Sequence, residues 1–402
     1  MSFSGMFNTG NFTTDLAKKS FAGMITRLMP NGAAPLFGLT SMLSTEVAAA
    51  VEHGFFTKTM IFPEVQLDGA IADGTTTAFT CDSTTNMLPG MILRVNTTGE
   101  NVIVNQVVSA TVITVTRGVG TTAAAAIADN VKLFQVGNAF EEGSQRPNAL
   151  NITPVRITNY TQIFRDAWAL TDTARATQVI AGNDTVSESK QDCAAFHAAA
   201  IEKALFFGQK SSGTRNGKPF RTMDGLISIV SDLTYYPSSY AAANVTTAGA
   251  TTTYTQLEAA LDPVFNQATD PKVANERVMF VGGTAKLVLN NIGRLNGTYQ
   301  LMDGQTSWGL QFSTFKTARG TFRVIEHPLF NTNSTWSKMA IAVDMSTFNV
   351  AYLGDRKTKS EEYGIEEGQD ATGGSLTTEM TTLIKNPPAN AIIYNLTAGA
   401  AG

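Results

Sequence analysis

Apolar residues recur at helical spacing in only a few stretches of this chain. Phe21, Met24, Ile25 and Leu28 fall at i, i+3, i+4 and i+7, one face of a short helix that Pro30-Asn31-Gly32 ends. The strongest helical pattern covers 186–207. Thr185 and Glu188 have capping-box spacing, Ala194, His197, Ala198, Ile201 and Leu205 follow on one face, and Gly208 sits at the stop position. At about 1.5 Å per residue this predicts a rod of roughly 33 Å. A second box, Thr255 with Glu258, opens a stripe of Leu257, Ala260, Leu261, Val264 and Phe265, which Pro263 should kink or shorten. Gly282-Gly283-Thr284 turns a buried strand over 277–281 into a further helix that ends near Gly293.

Between 66 and 136 the pattern changes. The block is rich in Thr and Val and nearly free of helical periodicity. Short apolar runs at 91–95, 102–104 and 112–115 are separated by Pro89-Gly90, Thr98-Gly99 and Arg117-Gly118. Short strands at such spacing predict a small β-barrel or sandwich. The flanks, 55–65 and 152–164, read as extended, so the block reads as an insertion into a two-stranded element. Strands at 322–325, 339–343, 348–353, 376–383 and 391–394 close the chain, with Asn386-Pro387-Pro388 as a stop. The Ala- and Thr-rich run 241–253 predicts a loop. The chain shows no internal repeat. Together these elements define an α+β protein.

Composition narrows the functional classes. A chain of 402 residues is long for one core, so two or three domains are expected. The net charge of −4 comes with no basic cluster, which argues against a protein that reads DNA and suits a wall that does not adhere to its contents. Cys81 and Cys193 lie far apart and have no metal-ligand spacing. No stretch of about 18 apolar residues and no signal-peptide pattern is seen, which points away from a membrane and towards a reducing cytoplasm. The Asn-x-Ser/Thr triplets, such as Asn151-Ile-Thr153, are then accidents of composition.

Candidate chemistry is sparse. His53, His197 and His327 lie in different segments without Cys, Asp or Glu at metal spacing, and His197 falls on the apolar stripe of the long helix, where a packing role is expected. Val281-Gly-Gly-Thr284 imitates a phosphate cradle but lacks its lysine, so it reads as a plain strand-turn-helix connection. The pairs Glu141-Glu142, Glu361-Glu362 and Glu366-Glu367 are adjacent in sequence. On a strand such neighbours point to opposite faces and do not converge on a substrate. No nucleophile, base and orienting group can be assembled, so no enzyme, metal or cofactor is expected.

Several runs, in order along most of the chain, resemble the major capsid proteins of tailed double-stranded DNA bacteriophages. They are Lys18-Lys-Ser-Phe-Ala-Gly23, Pro30-Asn-Gly with Pro35-Leu-Phe37, Thr114-Val-Thr-Arg-Gly118 with Gly120-Thr-Thr-Ala123, Gly137-Asn-Ala-Phe-Glu-Glu-Gly143, and Asn159-Tyr-Thr-Gln-Ile-Phe-Arg165. The resemblance implies an HK97-like capsid fold. Its N-terminal arm would be 1–54, its extended loop 55–65 and 137–171, and its inserted β domain 66–136. The peripheral domain would be 172–224 and 331–402, with the long helix as spine, and the axial domain 225–330. The implied function is self-assembly into pentamers and hexamers of an icosahedral head around DNA, in the virion after assembly in the host cytoplasm. Implied partners are further copies of the chain, a portal, a separate scaffolding protein, a decoration protein, and packaged DNA in weak non-specific contact, with no membrane. The shell of a cellular nanocompartment is an alternative, and a β-rich surface adhesin a more distant one. Lys58 lies where some relatives crosslink covalently, but no partner set accompanies it. Glu141, Glu142, Arg146 and Arg165 are the expected inter-subunit contacts; the first three are dense charge just after the insertion in a chain with 15% charged residues, and the alternative for them is a solvated bend.

Overall fold

The computed structural model describes residues 34–40, 45–58, 63–151, 153–177, 185–232, 244–266, 276–295, 302–307, 310–364 and 370–400. The helix expected at 21–28 and the Glu366-Glu367 pair lie outside them. The chain divides into two compact units, one of residues 1–55 and 156–402 and one of Phe56–Val155. Both boundaries fall within a two-stranded ribbon of Glu52–Thr57 and Val155–Tyr160.

The larger unit holds two sheets. The first runs in the order Glu46–Ala48, Phe348–Leu353, Ala371–Ile384 and Gln162–Thr171, and Lys359–Gly364 also pairs with Ala371–Ile384. Along Gln162–Thr171 the pattern alternates. Phe164 and Trp168 are buried, while Ile163, Arg165 and Ala167 are exposed, as one covered face requires. The long helix, Thr185–Phe207, buries Cys193, His197, Ile201, Glu202, Leu205 and Phe206.

The second sheet has seven strands in the order Val245–Thr247, Ala391–Tyr394, Ala340–Val343, Glu276–Val281, Thr321–Glu326, Leu310–Lys316 and Met302–Ser307. Its central strands are buried on both faces, which is why they read as unbroken apolar runs rather than alternating ones. Phe280, Ile341 and Ile392 join the core built on Ile201, Leu205 and Phe206. Their strand neighbours Met279, Val281 and Ile393 join a second core with Leu257, Leu261, Leu289 and Ile292. The helices Tyr254–Leu261 and Gly283–Leu295 supply that second layer.

The smaller unit is built on one six-stranded sheet in the order Glu64–Gln66, Lys132–Asn138, Met91–Val95, Asn101–Val107, Val112–Thr116 and Ala78–Thr80. Alternate residues Leu93, Val95, Val102, Val104, Ile113 and Val115 point into its own core with Leu67, Phe79 and Leu133.

Three local readings need correction. The box of the second helix lies two residues upstream of the expected Thr255 and Glu258. Thr253 accepts from the Gln256 N–H at 3.2 Å, and the Gln256 carboxamide accepts from the Thr253 N–H at 3.1 Å. Glu258 instead accepts from the Ala318 N–H at 2.9 Å. The helix ends at Leu261 and tightens into a 3-10 turn, Asp262–Phe265, where Pro263 sits without the lost hydrogen bond it would cost in a helix interior. The run expected as a loop contains the strand Val245–Thr247, held parallel to Ala391–Tyr394. A hairpin of Ser211–Arg215 and Lys218–Thr222 also went unpredicted. Its turn is Asn216-Gly217, both at positive φ (51° and 72°), a pair suited to a two-residue hairpin turn.

Candidate interface surface and buried charge clusters

Several polar side chains buried in the larger unit hold segments together. His197 projects from the long helix onto the first sheet. Its Nδ1 lies 2.6 Å from Asp166 Oδ2 and its Nε2 2.8 Å from Thr378 Oγ1. Both ring nitrogens are thus satisfied between the helix and two strands, in agreement with a packing role.

Five residues further along the helix, Glu202 is also buried. Its carboxylate accepts the Leu36 N–H at 2.9 Å and the Phe37 N–H at 2.7 Å. These are first-turn donors of the helix Pro35–Thr40, which have no partner within a helix. His327 Nε2 lies 2.6 Å from the same carboxylate, and its Nδ1 accepts the Leu329 N–H at 3.1 Å. This pattern places the ring proton on Nε2, donated to Glu202. The cluster pins residues 35–37 to the body of the unit. Sequence spacing gives no hint of it, because its members lie 125 and 166 residues apart.

Arg277 is fully buried, 3.5 Å from Asp344, and also donates to the Ala389 carbonyl at 3.3 Å. Burial pushes its pKa down, and the Asp344 carboxylate works against that shift. Glu46 ties the first strand to the end of the sheet through Lys385 at 2.6 Å and Asn349 at 2.8 Å.

In the smaller unit, Arg117 and Glu100 form a buried bidentate pair, with Nε to Oε1 at 3.0 Å and a second contact at 2.6 Å. Arg117 also donates to the Asp73 and Ala125 carbonyls and lies over the Phe79 ring. Glu100 additionally accepts the Gly118 N–H at 3.0 Å. The Thr-Arg-Gly run at 116–118 therefore fastens a loop to the sheet. Arg117 belongs to the Thr-Val-Thr-Arg-Gly run at 114–118, but its partner, 17 residues away, carries no sequence signal.

The expected contact residues are all on the surface. Glu141, Glu142 and Arg146 lie in a stretch, 138–151, in which every described residue is exposed. A turn closes over Glu141 to Ser144, with the Ser144 N–H on the Glu141 carbonyl at 3.1 Å and Gly143 at φ 75°. Arg165 projects from the uncovered face of Gln162–Thr171. Among the described residues none forms an ion pair with Glu141, Glu142, Arg146 or Arg165. Nor do the described residues hold a cluster of three His, Cys, Asp or Glu able to bind a metal, or a helix long and apolar enough to cross a membrane.

Buried polar groups thus clasp segments, and the expected contact charges lie on the surface without ion pairs among the described residues. The comparisons with known proteins give the chain's kind. Residues 8–397 match the family model described as SU10 major capsid protein. The chain is 39% identical, over 98% of its own length and 96% of the other's, to the major capsid protein of Pseudomonas phage PaMx41. The chain belongs to the SU10 major capsid protein family, and it is a structural subunit of a phage capsid. Among solved structures, it resembles a protein of Mycobacterium phage Bobi at 9% identity, with 97% of each chain covered and a TM-score of 0.49. It likewise resembles the capsid of a native GTA particle at 10% identity, with 97% and 98% covered and a TM-score of 0.49.

Proposed function

We propose that this subunit has the HK97-like fold and assembles as pentamers and hexamers of an icosahedral head around double-stranded DNA. The observation that carries the proposal is the ribbon of Glu52–Thr57 and Val155–Tyr160. It is a two-stranded element, and a hairpin of two strands is marginal in water by itself. Such a ribbon makes sense in a subunit that lays it against a neighbour. In this reading the first sheet with the long helix is the peripheral domain and the seven-stranded sheet with its outer helices is the axial domain, which departs from the expected bounds: Ala340–Val343 and Ala391–Tyr394 move from the peripheral segment 331–402 to the axial domain, and Glu46–Ala48 and Gln162–Thr171 move from the arm and the extended loop to the peripheral one. The unit Phe56–Val155 holds the inserted β domain and the rest of the extended loop. Glu141, Glu142, Arg146 and Arg165 are then contacts between subunits.

A portal, a separate scaffolding protein and a decoration protein complete the assembly in the host cytoplasm. The inner wall touches DNA weakly and without sequence preference, because a net charge of −4 offers little for counterion release. Electron microscopy of particles from cells expressing the chain with its scaffold tests the reading. Averaged images should show five-fold and six-fold capsomers. Particles built of any other ring would overturn it.

A further inference from the structure

We propose that the Phe140-Glu141-Glu142 segment of one copy docks on the Arg165–Lys359 face of a second copy. This deepens the proposed shell function and rests on it. The receiving face is the uncovered side of the first sheet. Arg165 and Lys359 flank Thr377 in register, one on each neighbouring strand. Around them Ile163, Arg356 and Glu361 complete a shallow cleft of about 370 Å³.

Three cations and one carboxylate line this cleft. Arg165 has no ion-pair partner among the described residues. Lys359 has only Asp355, which is 97% exposed and binds it weakly. Arg356 is committed to the buried Glu379 at 2.9 Å. Beside the cations Ile163 is 55% exposed, a large apolar side chain with nothing over it.

The opposite pattern stands on the smaller unit. Phe140 is 44% exposed, its ring resting on Gly90. Glu141 and Glu142 follow it on the turn described above, both exposed and without an ion pair among the described residues. An apolar side chain next to two carboxylates thus matches an apolar side chain next to two available cations. Complementary charges of this kind steer encounter and fix register between copies more than they add raw affinity.

Charge reversal on each side, and on both together, tests the pairing. The variants are Glu141→Lys with Glu142→Lys, Arg165→Glu with Lys359→Glu, and all four combined. Arg356 is left in place, since its loss would strand buried Glu379. Each variant should keep the wild-type melting temperature, because all four positions are exposed. Each one-sided reversal should lose assembled particles in sedimentation, and the four-fold variant should regain them. In a Glu142→Cys, Lys359→Cys variant, oxidation should give a ladder of covalent multimers, with native Cys81 and Cys193 buried and silent. Normal assembly of either one-sided variant, no recovery in the four-fold variant, or disulfides only within single chains would each overturn the docking. Wild-type protein is the control. If it forms no shells when expressed with its scaffold, the proposed function fails; if it does and the variants give any of these overturning results, only the docking fails.

Discussion

At the residue scale, the molecule separates charges that hold it together from charges that it offers outward. Arg117 and Glu100 are of the first kind. Taking one partner from a buried pair costs about 3–5 kcal/mol, since the other is left uncompensated. Arg117→Ala should therefore lower the urea midpoint of the smaller unit well beyond the effect of an exposed change such as Arg146→Ala. Burial pushes the Glu100 carboxyl up, but the Arg117 pair and the Gly118 and Ala125 N–H groups outweigh it, so its pKa lies below the ordinary value. A carboxyl depressed in the folded state adds stability above its unfolded pKa of about 4.3 and loses it as pH falls through the lower folded value. Unfolding measured between pH 7 and pH 3 should thus show an acid-side loss in wild type that is smaller in Glu100→Gln. An identical slope in both would remove Glu100 from this role. On the apolar side, Leu205 is fully buried. Leu205→Ala should cost about 2–5 kcal/mol in thermal or chemical unfolding.

At the scale of elements, what could be read ahead was set by how local the signal is. The long helix was legible because His197, Ile201 and Leu205 of the expected stripe do form its buried face; Ala194 is exposed instead, and Cys193 packs in its place. The runs at 277–281, 340–343 and 391–394 were legible as strands because both their faces are covered. The strand Val245–Thr247 was not, since three residues of an Ala- and Thr-rich run acquire their structure only by pairing with a strand almost 150 residues away. The misplaced cap has a similar cause. Thr253-x-x-Gln256 and Thr255-x-x-Glu258 both satisfy the pattern, and only the tertiary contact of Glu258 with Ala318 decides between them. The two can be separated by experiment. Thr253→Ala should cost about 1 kcal/mol, as loss of an N-cap does, whereas Thr255→Ala should stay within about 0.5 kcal/mol, as surface changes do. Equal losses would mean that the box does not select the helix start.

At the scale of the whole molecule, the sequence carried the order of elements and the family, but not the clasps. Glu202 with His327 and the 35–37 backbone, and Arg277 with Asp344, join residues that only the folded chain brings together. The contact surface was legible only in part. The charge density at Glu141, Glu142 and Arg146 stands out in a chain with 15% charged residues, while the place of Lys359 and Arg356 beside Arg165 depends on strand register and has no local signal in the sequence. The smaller unit has its own core of Leu93, Val104, Ile113 and Leu133. Residues 56–155 expressed alone should therefore give a dispersed amide spectrum, and a collapsed one would show that the unit depends on the rest of the chain. The central claim, that this chain does its work by associating with copies of itself, is tested most directly by sedimentation velocity of the purified protein, with its scaffolding protein present, over a range of concentrations. The account predicts a passage from subunits or capsomers to large particles of uniform size. A stable monomer at every concentration would contradict it.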